Sequence, residues 1–243
     1  MKPPPEPQLN LFGQPIGPDV PGWTPARRPA DTAMNGRFCR LEPWGDGEHR
    51  DALFRAFAED DGRMWSYLPW GPFADIEAFQ AMIDEPGGAF QRFVIQDAAG
   101  EPLGTASYMR HDLATGSVEV GAVIFSPRLQ RTPAATEAMF LMMRRAFDEA
   151  GYRRYEWKCD ALNARSWAAA LRLGFQFEGV FRQERVYRGR NRDTAWFSVI
   201  DPEWPALRRA FERWLAPANF DENDRQRLSL GAMIKAETEA QPG

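Results

Sequence analysis

Hydrophobic residues recur along the chain at two spacings, one typical of helices and the other of strands. Apolar positions three or four residues apart, with polar residues between them, predict one-sided helices. These helices are predicted over residues 48–59, 76–84, 133–150, 164–173 and 204–215. Shorter runs in which apolar and polar residues alternate predict strands. The strands are predicted over residues 37–43, 90–97, 101–111, 117–125, 154–159, 175–187 and 192–200.

The connections between the strands predict how they pair. Three consecutive strands between residues 90 and 125 are joined by short turns that contain a glycine, at 98–100 and 113–116, and such turns favour antiparallel hairpins. The long helix that follows leads to another strand, and a crossover of this kind favours a parallel pair. We therefore predict an α+β domain of three layers, with a mixed, mostly antiparallel central sheet and helices on both faces.

The two ends of the chain differ in pattern from its middle. Nine prolines fall within residues 1–36, and proline lacks the N–H that helix and sheet ladders require. We predict an N-terminal arm over 1–36, a folded domain over 37–201, and a C-terminal helix and tail over 202–243 that is marginally structured after residue 217. Four apolar residues of the arm are either anchors on the domain or parts of a loose tail. They are Leu9, Leu11, Phe12 and Trp23.

Composition excludes several classes of protein. Of the 243 residues, 44% are hydrophobic and 13% aromatic, so the chain can bury a core and is not a disordered protein. No apolar stretch approaches the roughly 18 residues of a membrane span, and residues 1–5 lack the apolar segment of a signal peptide. Two cysteines and two histidines, outside any zinc-binding spacing, predict no metal site, and the glycine motifs for ATP or NAD are absent. We expect a cytoplasmic protein with no membrane partner.

A basic loop precedes the helix predicted at residue 133. Thr132 can cap this helix, and Pro133 suits its first position. Free N–H groups at a helix start attract anions, and Arg128 and Arg131 add positive charge. Residues 128–192 hold fourteen basic and seven acidic residues in a chain whose net charge is −4. The loop is thus either a phosphate-binding site or an ordinary solvated basic loop.

Four short runs resemble one protein family. They are residues 119–121 (EVG), 130–138 (QRTPAATEA), 163–166 (NARS) and 172–179 (RLGFQFEG). Over about residues 37–201 the chain resembles GNAT N-acetyltransferases of the RimJ/RimL type. The resemblance implies a GNAT fold with a splayed strand pair, acetyl-CoA as donor and an amine as acceptor. The family's loop reads Q/R-x-x-G-x-G/A, and here Pro133 replaces a glycine and removes one N–H.

The resemblance implies where acetyl-CoA binds. Its pantetheine arm is expected along the strand that ends at Phe125, and its pyrophosphate on the loop and the start of the following helix. The expected cofactor-binding residues are Ile124, Phe125, Gln130, Arg131, Thr132, Ala134, Ala135, Thr136 and Asn163. A strand N–H near Ile124 is expected to stabilise the oxyanion that forms during transfer.

Transfer to an amine requires groups that move protons. The amine attacks only when neutral, and coenzyme A leaves as a thiolate, so a base and an acid both help. Glu119 or Glu178 is the candidate base, and each is alternatively a salt-bridge partner. Ser166, by resemblance the acid that protonates the thiolate, is alternatively a capping residue of its own helix turn.

The acceptor is expected between the aromatic loop 64–70 and the hairpin at Gly189. Trp65, Tyr67 and Trp70 either shape its pocket or pack in the core. The acceptor is a peptide N-terminus or a small amine, and the chain is a monomer or a homodimer. The alternative function, suggested by the arginines between residues 182 and 192, is a non-catalytic RNA- or ribosome-binding module. Against nucleic acid stand the negative net charge and the absence of an aromatic base-stacking motif.

Overall fold

An eight-stranded sheet forms the centre of the computed structural model, which describes residues 7–45, 47–83, 90–222 and 225–240. Outside this sheet, β1 (Gln8–Leu9) and β2 (Pro15–Ile16) form a separate two-stranded hairpin. The strands of the main sheet are β3 (Met34–Asn35), β4 (Cys39–Pro43), β5 (Phe90–Asp97), β6 (Pro102–Asp112), β7 (Ser117–Phe125), β8 (Arg154–Asp160), β9 (Gln176–Tyr187) and β10 (Arg190–Ile200). Their spatial order is β3-β4-β5-β6-β7-β8-β10-β9. Within the described residues, neighbouring strands are antiparallel except for β7 and β8, which are parallel.

Helices cover both faces of this sheet. They are α1 (Arg50–Ala58), α2 (Ile76–Ile83), α3 (Pro133–Arg144), α4 (Ala164–Arg172), α5 (Trp204–Leu215) and α6 (Leu230–Glu239). The apolar sides of α1 and α2 pack on one face in a cluster that includes Val94. Phe93 and Ile95, whose side chains alternate with that of Val94, lie in the larger cluster with α3 and α5 on the other face. The predicted three-layer α+β fold is therefore confirmed.

The helix at the C-terminal end is the main element that the pattern did not predict. Beyond residue 217, α6 packs against α5 through buried Leu230 and Met233. Glu237 binds both Arg209 and Arg213 of α5, at 2.8 and 2.6 Å. This segment is therefore ordered by tertiary contacts rather than by strong local propensity. The predicted last residue of α2, residue 84, lies outside the described residues.

The N-terminal arm divides into two parts. Leu11 and Phe12, at the tip of the β1–β2 hairpin, are 99% and 85% exposed, so they do not anchor the arm. Trp23, by contrast, donates its indole N–H to the carbonyl oxygen of Ala114. From there onwards the arm follows the domain, and the buried Arg145 guanidinium binds the carbonyl oxygens of Ala30, Thr32 and Ala33. The division of the chain into an arm, a domain and a tail stays a prediction.

The end of the arm is fixed by a carboxylate of α3. Buried Glu137 accepts hydrogen bonds from the backbone N–H groups of Arg37, Phe38 and Cys39. A β-carbon at Gly36 would lie 2.3 Å from this carboxylate, so only glycine lets the backbone approach so closely. The contact ties the first strand of the domain to the helix that begins at the candidate site. No helix in the described ranges is long and apolar enough to cross a membrane.

Candidate active site

The parallel strands β7 and β8 separate halfway along their length. They pair from Ser117↔Arg154 to Val120↔Trp157, and beyond that point no further pairs join them. β7 also has one more residue than β6 across this point, because Ser107 pairs with Gly121 and Thr105 with Ile124. The extra residue forms a bulge in which Ala122 has a φ of 48°. The bulge bends β7 and opens a gap between the two strands, beside the start of α3.

The bulged strand leaves backbone donors at this gap. Ser126 donates its N–H to Leu103 of β6, and successive residues of a strand direct their N–H groups to opposite edges. The N–H groups of Val123 and Phe125 therefore face the gap, while that of Ile124 faces β6. The Ile124 side chain is buried in the cluster with α1 and α2. Val123, which sequence reasoning did not single out, is thus better placed than Ile124 to donate a hydrogen bond in the gap.

The loop before α3 presents donors at the far end of the gap. Thr132 caps the helix, because its Oγ1 accepts a hydrogen bond from the Ala135 N–H at 3.2 Å. In the described part of the chain, the N–H groups of Arg131 and Ala134 have no hydrogen-bond partner. Arg131 has a φ of 63°, and its exposed side chain makes no ion pair there. These groups can bind an anion, whereas the Ala135 N–H is already used by the cap.

Two other arginines near α3 are engaged with the protein itself. Arg128 binds Glu101 at 2.8 Å and Glu59 at 3.1 Å, so its charge is largely compensated. Arg172, at the end of α4, donates to the Thr136 hydroxyl in the first turn of α3 at 3.0 Å. Burial lowers the pKa of Arg172 below its usual value. Arg172 brings a positive charge to the start of α3, and only the fold reveals this, since α3 and α4 are distant in sequence.

The start of α4 lines the β8 side of the gap. Asn163 caps this helix, with its Oδ1 accepting from the Ser166 N–H at 3.1 Å. Ser166 Oγ in turn accepts a hydrogen bond from the Trp157 indole at 2.9 Å. Because Oγ accepts this hydrogen bond through one of its lone pairs, the hydroxyl proton of Ser166 can still be donated to another acceptor. Cys159 lies beside Ser166, and burial raises its pKa above the usual value.

Gln130 and Tyr187 lie near the ends of the two separated strands, Gln130 at the end of β7 and Tyr187 at the end of β8. Gln130 donates its amide to the Phe125 carbonyl oxygen at 2.9 Å and so holds the loop against the end of β7. Tyr187 donates to Asp160 at the end of β8 at 2.9 Å. Burial, together with this hydrogen bond, raises the pKa of Tyr187. Tyr187 is therefore a second hydroxyl near the β8 side of the gap.

Glu119 lies on β7 two residues before the bulge, and its side chain is only 6% exposed. Its Oε2 atom is 3.0 Å from the ammonium of Lys158 and 3.4 Å from Nε of Arg110. A β-carbon at Gly121 would lie 3.2 Å from the other oxygen, Oε1. The carboxylate therefore reaches the bulge at the point where the strands separate.

Glu178 lies at the opposite end of the paired strands. Arg154 donates to both of its oxygens, at 2.7 and 2.6 Å, and Ser198 donates to it at 2.7 Å. The hydrogen bonds from Arg154 hold the pKa of Glu178 below its usual value. Since Arg154 pairs with Ser117 at the start of the parallel segment, Glu178 is several residues away from the gap. The structure does not bring the two candidate bases together.

The aromatic loop and the β9–β10 hairpin meet, as expected for two sides of one cleft. Arg188, next to Gly189, donates to the carbonyl oxygen of Trp65 at 3.2 Å. The Trp65 ring is buried against Phe57 and Phe73 and fills the small core beneath the loop. Its ring thus packs in the core, which was the alternative to a role in the acceptor pocket.

Trp70 and Tyr67 are placed differently from Trp65. Trp70 is half-buried and lines a closed cleft, too narrow to hold a water molecule, together with Ile83, Ala122 and Ile124. Tyr67 is also half-buried. The cleft reaches the bulge from the face of the sheet covered by α1 and α2, opposite the face against which α3 packs.

One group of potential metal ligands lies outside this region. A ligand atom of each of Glu42, Glu48 and His49 lies within 4.8 Å of the others. Arg40 and Gln96 already bind the Glu42 carboxylate, at 2.7 and 3.0 Å. We assign no metal to this group.

Several known proteins are similar to this chain in sequence and structure. The family model of the acetyltransferase (GNAT) domain matches residues 39–176. A search of curated proteins finds no match. A GCN5-related N-acetyltransferase from Brucella melitensis has 44% identity and a TM-score of 0.86, over 89% of this chain and 100% of that one. A probable acetyltransferase of the GNAT family from Chromobacterium violaceum has 42% identity and a TM-score of 0.73, over 79% and 98%.

A more distant structure shares the fold alone. The spermidine N-acetyltransferase from Vibrio cholerae, solved with CoA and spermine, has 18% identity and a TM-score of 0.54. The match covers 68% of this chain and 96% of that one.

Proposed function

This chain belongs to the GNAT acetyltransferase family, and from that premise we propose that it transfers the acetyl group of acetyl-CoA directly to a primary amine. It is an acyltransferase, and GNAT acetyltransferases use acetyl-CoA. The observation that supports the proposal most strongly is the gap between β7 and β8, which opens beside the unpaired N–H groups at the start of α3. The gap offers a place for a long thioester, and the helix start offers a place for its phosphates.

We propose that the pyrophosphate of acetyl-CoA binds at the loop before α3. The N–H groups of Arg131 and Ala134 and the Arg131 side chain are the donors, while Thr132 and Gln130 hold the loop in shape. Pro133 removes one N–H from this loop, and Arg172, held against Thr136, compensates with a positive charge. Asn163 has a free amide group for the pantetheine, since its oxygen alone is used by the cap.

Acetyl-CoA supplies a thioester carbonyl whose oxygen gains negative charge as the amine attacks. We assign the stabilisation of that oxygen to the Val123 N–H, which faces the gap next to the bulge. A backbone donor held by a strand needs no reorganisation, and such a donor typically contributes about 10²–10³-fold to the rate. The Phe125 N–H, two residues further along the same edge, is placed to bind the pantetheine arm.

Glu119 is the proposed base, and Glu178 the residue that we leave out. Glu119 reaches the bulge, and one of its oxygens faces the space beside Gly121. Glu178 has both oxygens occupied by Arg154, which makes it a poor proton acceptor. A carboxylate at the bulge can take the proton of the attacking amine directly or through one water molecule.

Ser166 is the proposed acid for the departing thiolate. The hydrogen bond from Trp157 to its Oγ leaves the hydroxyl proton available for donation, and the Cys159 sulfur is the neighbouring acceptor that the thiolate would replace. The same bond stabilises negative charge on Oγ as the proton leaves. Tyr187 is the second hydroxyl on this side, but it already donates to Asp160.

The amine is proposed to enter between the aromatic loop, which holds Tyr67 and Trp70, and the hairpin at Gly189, and this entry requires the closed cleft beside Trp70 to widen. The motifs at 163–166 and 172–179 support a RimJ/RimL-type acceptor, either a peptide N-terminus or a small amine. The test is release of the coenzyme A thiol from acetyl-CoA in the presence of spermine, tyramine or trialanine, with mass spectrometry of the product. Thiol release that depends on an amine is expected. If the protein neither binds acetyl-CoA nor acetylates any amine, the proposal is wrong.

A further inference from the structure

A buried lysine stands at the point where β7 and β8 separate. Lys158 follows Trp157, the last residue of β8 that pairs with β7. Its side chain is only 5% exposed. Lysine is rarely buried to this degree without partners, because removing an ammonium ion from water is costly. The contacts of Lys158 must therefore explain its position.

The ammonium of Lys158 lies close to two carboxylates and one aromatic ring. It lies 3.0 Å from Oε2 of Glu119, 2.7 Å from Oε2 of Glu156, and 3.7 Å from the centre of the Trp196 ring. The two carboxylates come from different strands, and the ring comes from β10. The contact with Glu119 is an ion pair rather than a hydrogen bond, because Oε2 of Glu119 has no hydrogen-bond partner among the described residues. The Trp196 ring and the strand hold the ammonium in place, and its charge attracts that oxygen.

The two oxygens of Glu119 are in different situations. Oε2 contacts both Lys158 and Arg110. Oε1 has no hydrogen bond or ion pair in the described part of the chain, and it lies near Gly121, next to the Met109 side chain that packs against that glycine. One oxygen is thus held by cations while the other is left open at the bulge. The two oxygens of a carboxylate are chemically equivalent. A carboxylate that rotated freely would therefore exchange their positions and would not keep this orientation.

Lys158 is better suited than Arg110 to hold this orientation. The Arg110 side chain is 35% exposed and its Nε lies at 3.4 Å, whereas Lys158 is buried and lies at 3.0 Å. Solvent and salt screen an exposed charge more than a buried one. The ionic groups packed against Glu119 are Arg110 from β6 and Lys158 with its partner Glu156 from β8.

We infer that Lys158 is a positioning residue for acetyl transfer: it anchors Oε2 of Glu119 so that Oε1 faces the attacking amine at the bulge. Lys158 does not itself touch the reacting atoms. The inference rests on the proposed function, in which Glu119 is the base. It gives Lys158 a role in turnover, although in the proposed function Lys158 neither transfers a proton nor binds acetyl-CoA.

The test compares Lys158→Met with Glu156→Gln in the full-length protein. Both changes disturb the same buried charges, but Glu156→Gln keeps the contact between Lys158 and Glu119. With acetyl-CoA and the best acceptor among spermine, tyramine and trialanine, Lys158→Met should lower kcat by about 10–100-fold, within the range seen for directly coupled residues. The KM for acetyl-CoA should change by less than about twofold, since the cofactor residues are untouched. Glu156→Gln should keep kcat within about threefold, and thermal melting should show that both variants fold.

A double substitution separates this inference from the proposed function. If Lys158 acts through Glu119, Lys158→Met should cause little further loss of kcat in a Glu119→Gln background. Losses that multiply, or equal losses in Lys158→Met and Glu156→Gln, would overturn the positioning role and leave Glu119 as the base. A Glu119→Gln variant with full turnover would instead refute the proposed base, and with it the reason for positioning.

A crystal structure of Lys158→Met gives a readout that does not depend on activity or on the acceptor. The Glu119 carboxylate should leave its place beside Gly121 or occupy several orientations. A carboxylate that keeps one orientation, with Oε1 at the bulge, would overturn the inference. If Lys158→Met does not fold, Lys158→Leu, which also removes the ammonium and keeps an apolar side chain against the Trp196 ring, takes its place with the same expected results.

Discussion

Strands β7 and β8 run parallel, but the half in which they pair differs from the half in which they separate. In the paired half, the side chains on one face bind each other: Arg154 contacts both Glu156 and Glu178. In the open half, the backbone separates after Val120 and Trp157, and donors near the gap, such as the Arg131 and Ala134 N–H groups, have no partner among the residues that the structure describes. At the Arg154 end of the strands, the protein pairs its own charged groups. Where they separate, polar groups remain for a ligand.

Glu119 and Glu178 illustrate this difference in a single residue type. Both are acidic residues bound to a cation, but of the two only Glu119 keeps an oxygen with no ion-pair partner in the described part of the chain. Lys158 stands at the boundary: it is the first residue of β8 beyond the paired segment, and its ammonium contacts Glu119 and Glu156, which face each other near the end of that segment. The comparison predicts that changes in the open half and at its border, where Glu119 and Lys158 lie, affect binding and turnover, whereas changes at the Arg154 end of the paired half affect mainly stability.

The largest effect is expected from Glu119→Gln, which keeps the shape of the side chain and removes its basicity. A general base typically contributes about 10²–10⁴-fold to the rate, so kcat should fall within that range. Acetyl-CoA affinity, measured by calorimetry, should stay within about twofold. Unchanged turnover between pH 6 and 9 would show that water and the substrate remove the proton without Glu119.

Ser166→Ala should have the next largest effect, with a loss of turnover near the lower end of the same range, about 10²-fold. The loss should shrink with an acyl donor whose thiol has a lower pKa, because that leaving group needs less protonation. Folding should be nearly unaffected, since the Asn163 cap accepts from the Ser166 backbone, which the change retains. A rate loss that is the same for every leaving group would leave Ser166 as a positioning contact.

Arg131→Glu should weaken acetyl-CoA binding by at least about tenfold, because a charge-assisted hydrogen bond contributes roughly 1.5–3 kcal/mol. Calorimetry measures this directly. The matched control is Arg227→Glu, which makes the same charge change at an exposed arginine of the C-terminal segment. Equal affinity of the two variants for acetyl-CoA would place the phosphates elsewhere.

Glu178→Gln should have the smallest effect on activity, less than about twofold in kcat. Its effect is on stability, at most about 1 kcal/mol, because the carboxylate is 39% exposed and solvent screens its ion pair. The pKa of Glu178 is lowered in the fold, so its contribution is present above the unfolded-state pKa of about 4.3 and is lost as the pH falls through the lower folded value.

Urea unfolding of the Glu178→Gln variant and the parent protein at pH 7 and at pH 3 checks this dependence. The difference in free energy of unfolding should be present at pH 7 and smaller at pH 3. A large loss of turnover in this variant would instead make Glu178 part of the reaction and reverse the comparison.

Much of the fold could be predicted from the sequence, because its signals are local. The strands at 90–97 and 117–125 have the predicted bounds, since glycine turns mark the ends of the hairpins. Thr132 and Pro133 likewise mark the start of α3, because a capping threonine followed by a proline is a local signal for a helix start. By contrast, α6 was not predicted, because its few buried residues pack only on α5.

The candidate site could be predicted only in part, because its geometry depends on distant contacts. The motifs around Arg131 and Ser166 are local, and these residues lie at the loop and helix that border the gap. The choice between Glu119 and Glu178 depends on Arg154 and Lys158, whose partners lie on other strands. Sequence periodicity likewise could not distinguish Trp65, which fills the core, from Trp70, which lines the cleft.

A titration of ¹⁵N-labelled protein with acetyl-CoA, followed by amide chemical shifts, tests the central claim most directly. The claim is that the open half of the β7–β8 pair is the cofactor site. The largest shifts should appear at Val123, Phe125, Arg131, Ala134 and Asn163, with little change at Tyr155, Glu178 and Ser198. Shifts concentrated at the Glu178 end of the strands, or no shifts at the gap at saturating acetyl-CoA, would contradict the account.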